Sequence, residues 1–172
     1  VAAGASYSTH LGNGSSAMIP RHENNIWEQL AADELYMGLI PDGFHLPPAA
    51  LKSLSRAKGY DKTVLVSDVA RMGGLAPGDY SWGTIAVRVH EDGHLNVVGT
   101  PFLAGAGHLL DWSIARFIDA TGCSIADAIA MCTKNPAAVI GLESGTLDVG
   151  SPAHLTLFDY SKLGFMAICY KS

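Results

Sequence analysis

The sequence predicts an α/β fold built on parallel strands. Three observations carry that expectation: a strand, helix, strand, helix, strand rhythm in the first half, short Gly- and Pro-punctuated connections, and a third strand candidate that is apolar and β-branched throughout. Alternating elements with short connections imply parallel pairing with right-handed crossovers. A strand with no polar alternation implies burial on both faces. The rhythm does not separate an open doubly wound sheet from a barrel.

Each element has a local reason. Residues 5–9 read as a short strand ending at His10, and 26–34 have helical spacing, with Ile26, Leu30 and Ala31 on one face. Residues 36–40 are a second apolar strand, closed by Pro41-Asp42-Gly43. Residues 47–58 read as a helix with prolines in its first turn and Gly59 at its end. Residues 63–66 are the third strand. The texture then changes. Residues 71–81 read as a Gly/Pro loop, and 84–89 and 94–98 flank Glu91-Asp92-Gly93 as a β-hairpin. Residues 109–120 form a helix with Leu110, Ile114, Phe117 and Ile118 near one face. Ser124 caps a second helix with Asp127 at N3. Asn135-Pro136 opens a third, with Asn as the cap, and Gly141 stops it. Residues 145–149 and 154–159 read as strands of a separate small sheet.

Composition narrows the function. The chain has 172 residues, 48% of them hydrophobic and 16% charged, enough to bury one core and too apolar for disorder. A net charge of −5 without any basic cluster argues against nucleic-acid and anionic-membrane partners. Apolar runs such as 163–169 are far shorter than the roughly 20 residues of a spanning helix. Cys123, Cys132 and Cys169 are odd in number and lack ligand-like spacing, which points to a reduced, cytoplasmic setting. The start at Val1 rather than Met reads as part of a larger protein.

Chemistry gathers at strand ends. His10 follows the first strand, Asp42 and His45 the second, and Asp68 the third. In parallel α/β folds the carboxyl ends of strands carry the site. Imidazole and carboxylate together suit metal-assisted hydrolysis, in which a cation lowers the pKa of bound water from 15.7 to about 7 and a carboxylate moves the proton. Plain structural readings stand beside these. His10 can be a hydrogen-bonded structural histidine, Asp68 a turn or cap residue, and His45 a loop histidine before a Pro-Pro turn. A zinc site needs three protein donors, more than these segments supply. His90 and His94 flank the hairpin turn and read as exposed. Gly12-Asn13-Gly14 offers backbone N–H groups to an anion or is a plain turn.

Five segments in order carry a resemblance: Ser8-Thr9-His10-Leu11-Gly12-Asn13-Gly14, Pro20-Arg21-His22-Glu23, Pro41-Asp42-Gly43-Phe44-His45, Val64-Leu65-Val66-Ser67-Asp68 and Leu103-Ala104-Gly105. Asn135-Pro136-Ala137, Ile140-Gly141-Leu142 and Gly150-Ser151-Pro152-Ala153 extend it. The series resembles the C-terminal portion of the N-acetylglucosamine-6-phosphate deacetylase family, within the amidohydrolase superfamily. The resemblance implies strands six to eight of a (β/α)₈ barrel, a TIM barrel, over residues 1–143, and a β-sandwich segment over 144–172. A whole barrel takes about 250 residues, so the remaining metal ligands would lie in an absent half.

By the same resemblance, His10 binds a divalent metal, zinc first and iron or another divalent ion as alternatives. Asp68 is the general base and then the general acid. Asn13, Gly14, Arg21, His45, Leu103, Ala104 and Gly105 contact a phosphorylated N-acetyl amino sugar, and Arg21 can serve the neighbouring subunit of a homodimer. The implied reaction is deacetylation to an amino sugar phosphate and acetate, with the present chain inactive by itself. The family usually has a bulky residue where Gly12 stands, Ala where Gly14 stands, Met where Ser15 stands, Ile where Phe44 stands and Asp where His154 stands. Most of these departures gather on the loop that would hold the phosphate. Two rival readings are an amidohydrolase of another amide or cyclic imide, and a truncated non-catalytic domain.

Overall fold

The computed structural model describes residues 1–143, 146–151, 155–159 and 166–171. Three strands, β1 (Tyr7–Ser8), β2 (Tyr36–Leu39) and β3 (Thr63–Leu65), form a parallel sheet in the order β1-β2-β3. The register aligns Ser8 with Met37 and Met37 with Thr63, so all three strands end at one edge. Helix α1 (Asn25–Ala31) joins the first pair and α2 (Pro48–Lys58) the second. Asn24 caps α1, its side chain accepting the N–H groups of Ile26 and Trp27. The helix expected to run to residue 34 stops at Ala31, where three main-chain carbonyls turn to the Lys58 ammonium: Gln29, Leu30 and Ala32 accept from Nζ at 3.0, 3.4 and 2.5 Å. A cation from the last turn of α2 thus satisfies the end of α1.

Beyond the sheet the chain forms β4 (Gly78–Trp82), β5 (Ile85–Val89) and β6 (Leu95–Val97), an antiparallel sheet with the expected turn at Glu91-Asp92-Gly93. The expected loop over 71–81 is corrected: its end is β4, paired residue for residue with β5 from Gly78↔Val89 to Trp82↔Ile85. Gly78 and Ser81 hid that strand, because neither favours one, and cross-strand pairing supplied what propensity did not. Next come α3 (Leu110–Thr121), α4 (Ile125–Cys132) and α5 (Lys134–Val139). Ser124 caps α4 as expected, accepting the Asp127 N–H at 3.1 Å while its hydroxyl donates to the Asp127 carboxylate at 2.7 Å. Asn135 is not the cap of α5. It lies inside the helix, 6% exposed, and its Nδ2 donates to the carbonyls of Thr63 and Tyr60 at 2.6 and 2.7 Å.

The main core lies between the parallel sheet and the helices. It joins Met37, Leu39 and Leu65 with Leu30, Leu51, Ile114, Phe117, Ala128 and Met131. β2 and β3 are buried along almost their whole length, as the unbroken apolar runs require. A second, smaller core of Met72, Val87, Val89, Leu95 and Ala104 fills the antiparallel sheet. Cys132 is pushed up to about 12 by burial and Cys123 is raised for the same reason, so neither is a thiolate at neutral pH. At the chain's end β7 (Leu155–Asp159) pairs antiparallel with β8 (Met166–Lys171). Residues 146–149 are not a strand, and positions 144, 145 and 152–154 of the expected closing segments lie outside the described residues. Among the described residues no helix is long and apolar enough to cross a membrane.

Candidate active site

The carboxyl edge of the parallel sheet carries His10, His45 and Asp68. His10 lies two residues past Ser8, the last paired residue of β1, and Asp68 three residues past Leu65, the last of β3. Strands two places apart are separated by about 10 Å. His10 and Asp68 therefore sit at the same edge of the sheet, without hydrogen-bonding each other.

Both residues hold an unusual backbone. Among the described residues, the non-glycine positions with positive φ are His10 at +30° and Asp68 at +52°. Such conformations cost of order 1 kcal/mol or more and concentrate where a side chain must be aimed. Each is held by its surroundings. Leu11 N–H donates to the Gly38 carbonyl at 2.8 Å just past His10, and the Asp68 carbonyl accepts the Ala106 N–H at 2.8 Å.

Gly38, in the middle of β2, makes the first of these possible. A Cβ there would lie 2.0 Å from the Tyr7 hydroxyl and 3.1 Å from the His10 nitrogen, so the close approach of β1 requires glycine. Gly38→Ala is expected to lower stability by about 1–3 kcal/mol, the usual cost of overpacking, read as a lower urea midpoint. An unchanged midpoint would mean that the Tyr7 ring swings aside without cost.

The His10 ring has a buried Nδ1 with no hydrogen-bond partner among the described residues, and so has the Nδ2 of Asn13. Asn13 N–H donates to the His10 carbonyl at 3.0 Å, and the ring's Cε1 lies 3.4 Å from where a Gly14 Cβ would stand. His10, Asn13 and Gly14 thus form one cluster. An alanine at Gly14 would make ordinary contact with the ring. Leu103, Ala104 and Gly105 join Asp68: Ala104 N–H donates to the Leu95 carbonyl at 3.1 Å, and a Gly105 Cβ would lie 3.1 Å from the Asp68 carbonyl. That loop is tied to β6 at one end and to the chain after β3 at the other. Arg21 stands apart. It is exposed, and only its carbonyl is engaged, accepting from Trp27 Nε1 at 3.0 Å and from the Asn24 amide.

His45 is held by Asp42, which the sequence placed at the same strand end without assigning it a role. Asp42, 2% exposed, takes the His45 Nδ1 at 2.7 Å on one carboxylate oxygen and the Phe44 and His45 N–H groups at 2.9 Å on the other. The i, i+3 spacing of Asp42 and His45 was the available signal.

The expected exposure of His90 and His94 is corrected too. Both are partly buried, their rings stacked 3.8 Å apart, and His94 meets Phe44 at 5.1 Å. Phe44 in turn stacks with His108, which stacks on Trp112. Flat rings from the hairpin, the His45 loop and α3 pack into one column, an arrangement with no signature in linear spacing.

A metal ion needs more donors than this edge brings. Among the described residues no group of three His, Cys, Asp or Glu is placed to hold one. The unpartnered His10 nitrogen fits a single ligand position.

The amidohydrolase family model matches residues 83–170, half of the chain. The chain belongs to the amidohydrolase family. Its relatives include the N-acetylglucosamine-6-phosphate deacetylase of Bos taurus, 38% identical over 94% of this amidohydrolase chain and 41% of the relative. The deacetylase of the same name from Bacillus subtilis is 33% identical over 97% of the chain and 42% of the relative. Among solved structures, the N-acetylglucosamine-6-phosphate deacetylase of Thermotoga maritima superposes with a TM-score of 0.85 at 29% identity, over 96% of this chain and 45% of that one. The chain spans about two fifths of the length of the curated relatives it matches. Divalent metal use is general in the amidohydrolase family.

Proposed function

We propose that this chain is the C-terminal part of a metal-dependent deacetylase that cleaves the acetamide of N-acetylglucosamine 6-phosphate, giving glucosamine 6-phosphate and acetate. The observation that carries the reading is the pair of positive-φ residues, His10 and Asp68, just past the carboxyl ends of two strands of one parallel sheet. The names of the relatives support the substrate. Residues 1–143 then supply strands six to eight of a (β/α)₈ barrel and 144–172 a β-sandwich segment, the remaining strands coming from elsewhere in the intact protein. Its setting is the cytoplasm and its assembly a homodimer.

His10 would hold the divalent ion, zinc or another such as iron, through its free ring nitrogen. When bound, that ion polarises the acetyl carbonyl and acidifies water. Asp68 takes the water's proton on its exposed carboxylate and later passes it to the departing sugar nitrogen. Leu103, Ala104 and Gly105 wall the pocket beside Asp68. Asn13 Nδ2, unpartnered and buried, and the backbone at Gly14 offer donors to the phosphorylated sugar. Arg21 is too exposed to serve this mouth on its own, which suits a contact to the phosphate of a neighbouring subunit. His45 orients the sugar.

A substrate panel on the intact enzyme tests the proposal. The 6-phosphate sugar should be deacetylated with kcat/KM about 10- to 150-fold above the unphosphorylated one, since a lost charge-assisted contact costs roughly 1.5–3 kcal/mol. Equal rates with and without phosphate, or faster cleavage of a cyclic imide, would overturn it.

A further inference from the structure

The geometry points to Asp42 as a positioning residue that fixes the tautomer of His45, a role that rests on the proposed placement of His45 at the site. The carboxylate is 2% exposed and its hydrogen bonds all go to the loop that carries that histidine. Oδ1 accepts the Phe44 and His45 N–H groups, which by itself completes the turn. Oδ2 adds a 2.7 Å contact to the His45 ring that the turn does not need. The Asp42 carbonyl accepts from Trp112 Nε1 at 3.0 Å, anchoring the residue to α3 from behind. Phe44, held by the same carboxylate, inserts its ring between His94 and His108. The loop is thus clamped on both sides of His45, whose side chain is itself 8% exposed.

Burial pushes the Asp42 carboxyl up, but the His45 ring and the two backbone donors outweigh it and hold the group below the usual carboxylate range. Asp42 is therefore ionised at neutral pH. An ionised carboxylate only accepts, so the His45 nitrogen facing it carries a proton. Nδ1 is then the protonated nitrogen of the neutral ring, and Nε2, which has no hydrogen-bond partner among the described residues, keeps its lone pair. In its neutral form the ring presents a lone pair at Nε2 to a hydroxyl or N–H of the substrate. An asparagine at position 42 would keep the turn through its oxygen but present NH₂ to the ring, driving the proton to Nε2.

The test is the ¹⁵N spectrum of histidine-labelled protein, with kinetics on the intact enzyme. In the neutral ring, Nδ1 of His45 should show the protonated-type shift and Nε2 the lone-pair type. Asp42→Asn should exchange the two while the Phe44 and His45 amide signals stay in place. A neutral His45 ring protonated at Nε2 in the unsubstituted protein overturns the proposal, and needs no variant to fold. In turnover, Asp42→Asn should lower kcat/KM about 10–100-fold, the usual effect of a supporting carboxylate, with no further loss when His45→Asn is added. Additive losses would make Asp42 merely structural and overturn its positioning role. If His45→Asn alone leaves turnover unchanged while the spectrum is as expected, the tautomer assignment stands and the placement of His45 at the site fails instead.

Discussion

Asp68→Asn in the intact enzyme should lower kcat by roughly 10²–10⁴-fold, the range that a positioned acid–base group supplies, with metal content unchanged. The substitution isolates proton transfer from everything else the residue does. Asn tolerates the left-handed backbone about as well as Asp, so the +52° φ at this position is no obstacle. The bond from Ala106 N–H runs to the main-chain carbonyl and survives. The side chain is exposed, so no buried charge is stranded. On the proposed mechanism, what disappears is the capacity to take a proton from water and return it to the leaving nitrogen. Thermal unfolding should match the parent within about 0.5 kcal/mol, as for other surface replacements. Near-normal turnover would remove Asp68 from the mechanism.

Asn135→Leu should destabilise the fold by roughly 1–4 kcal/mol, because one buried and one half-buried carbonyl lose their donor, a full loss costing about 1–3 kcal/mol. Those carbonyls belong to Tyr60 and Thr63, at the entry to β3. The Nδ2 group bridges them from inside α5, tying the last helix of the core to the strand that leads to Asp68. Leu branches at Cγ as Asn does, so the side chain keeps its reach while the polar link is cut. Urea unfolding gives the measurement. A loss below about 0.5 kcal/mol would show that water replaces the amide, and that the tie between α5 and β3 is incidental.

Much of the fold was legible in the sequence where local rules act alone. Gly59 ended α2 at Lys58, Ser124 capped α4, and Asp92-Gly93 turned the hairpin, each because a short-range backbone need selects the residue type. The run Thr63-Val64-Leu65-Val66 announced a strand buried on both faces, and its first three residues form one. Placing His10 and Asp68 at strand ends needed only the order of elements. The errors share a different cause. β4 was taken as loop because Gly and Ser weaken a strand locally, while pairing with β5 overrides them. Asn135 was taken as a cap because Asn before Pro usually is one, while a vacancy beside β3 recruited its amide. His90 and His94 were taken as exposed because nothing in the linear spacing shows that Phe44 and His108 stack beside them.

Pattern and composition, read without coordinates, determined a parallel α/β chain with an imidazole and a carboxylate at its strand ends, and the ordered motifs carried the resemblance to the amidohydrolase superfamily. The strand register, the positive φ of His10 and Asp68, the grip of Asp42 on His45 and the close passage of Tyr7 over Gly38 were decided by tertiary structure alone. The reason is range. Caps, turns and hydrophobic periods are set within a few residues, whereas aiming a side chain depends on atoms brought together from distant parts of the chain, whose energies exist only once it has closed on itself.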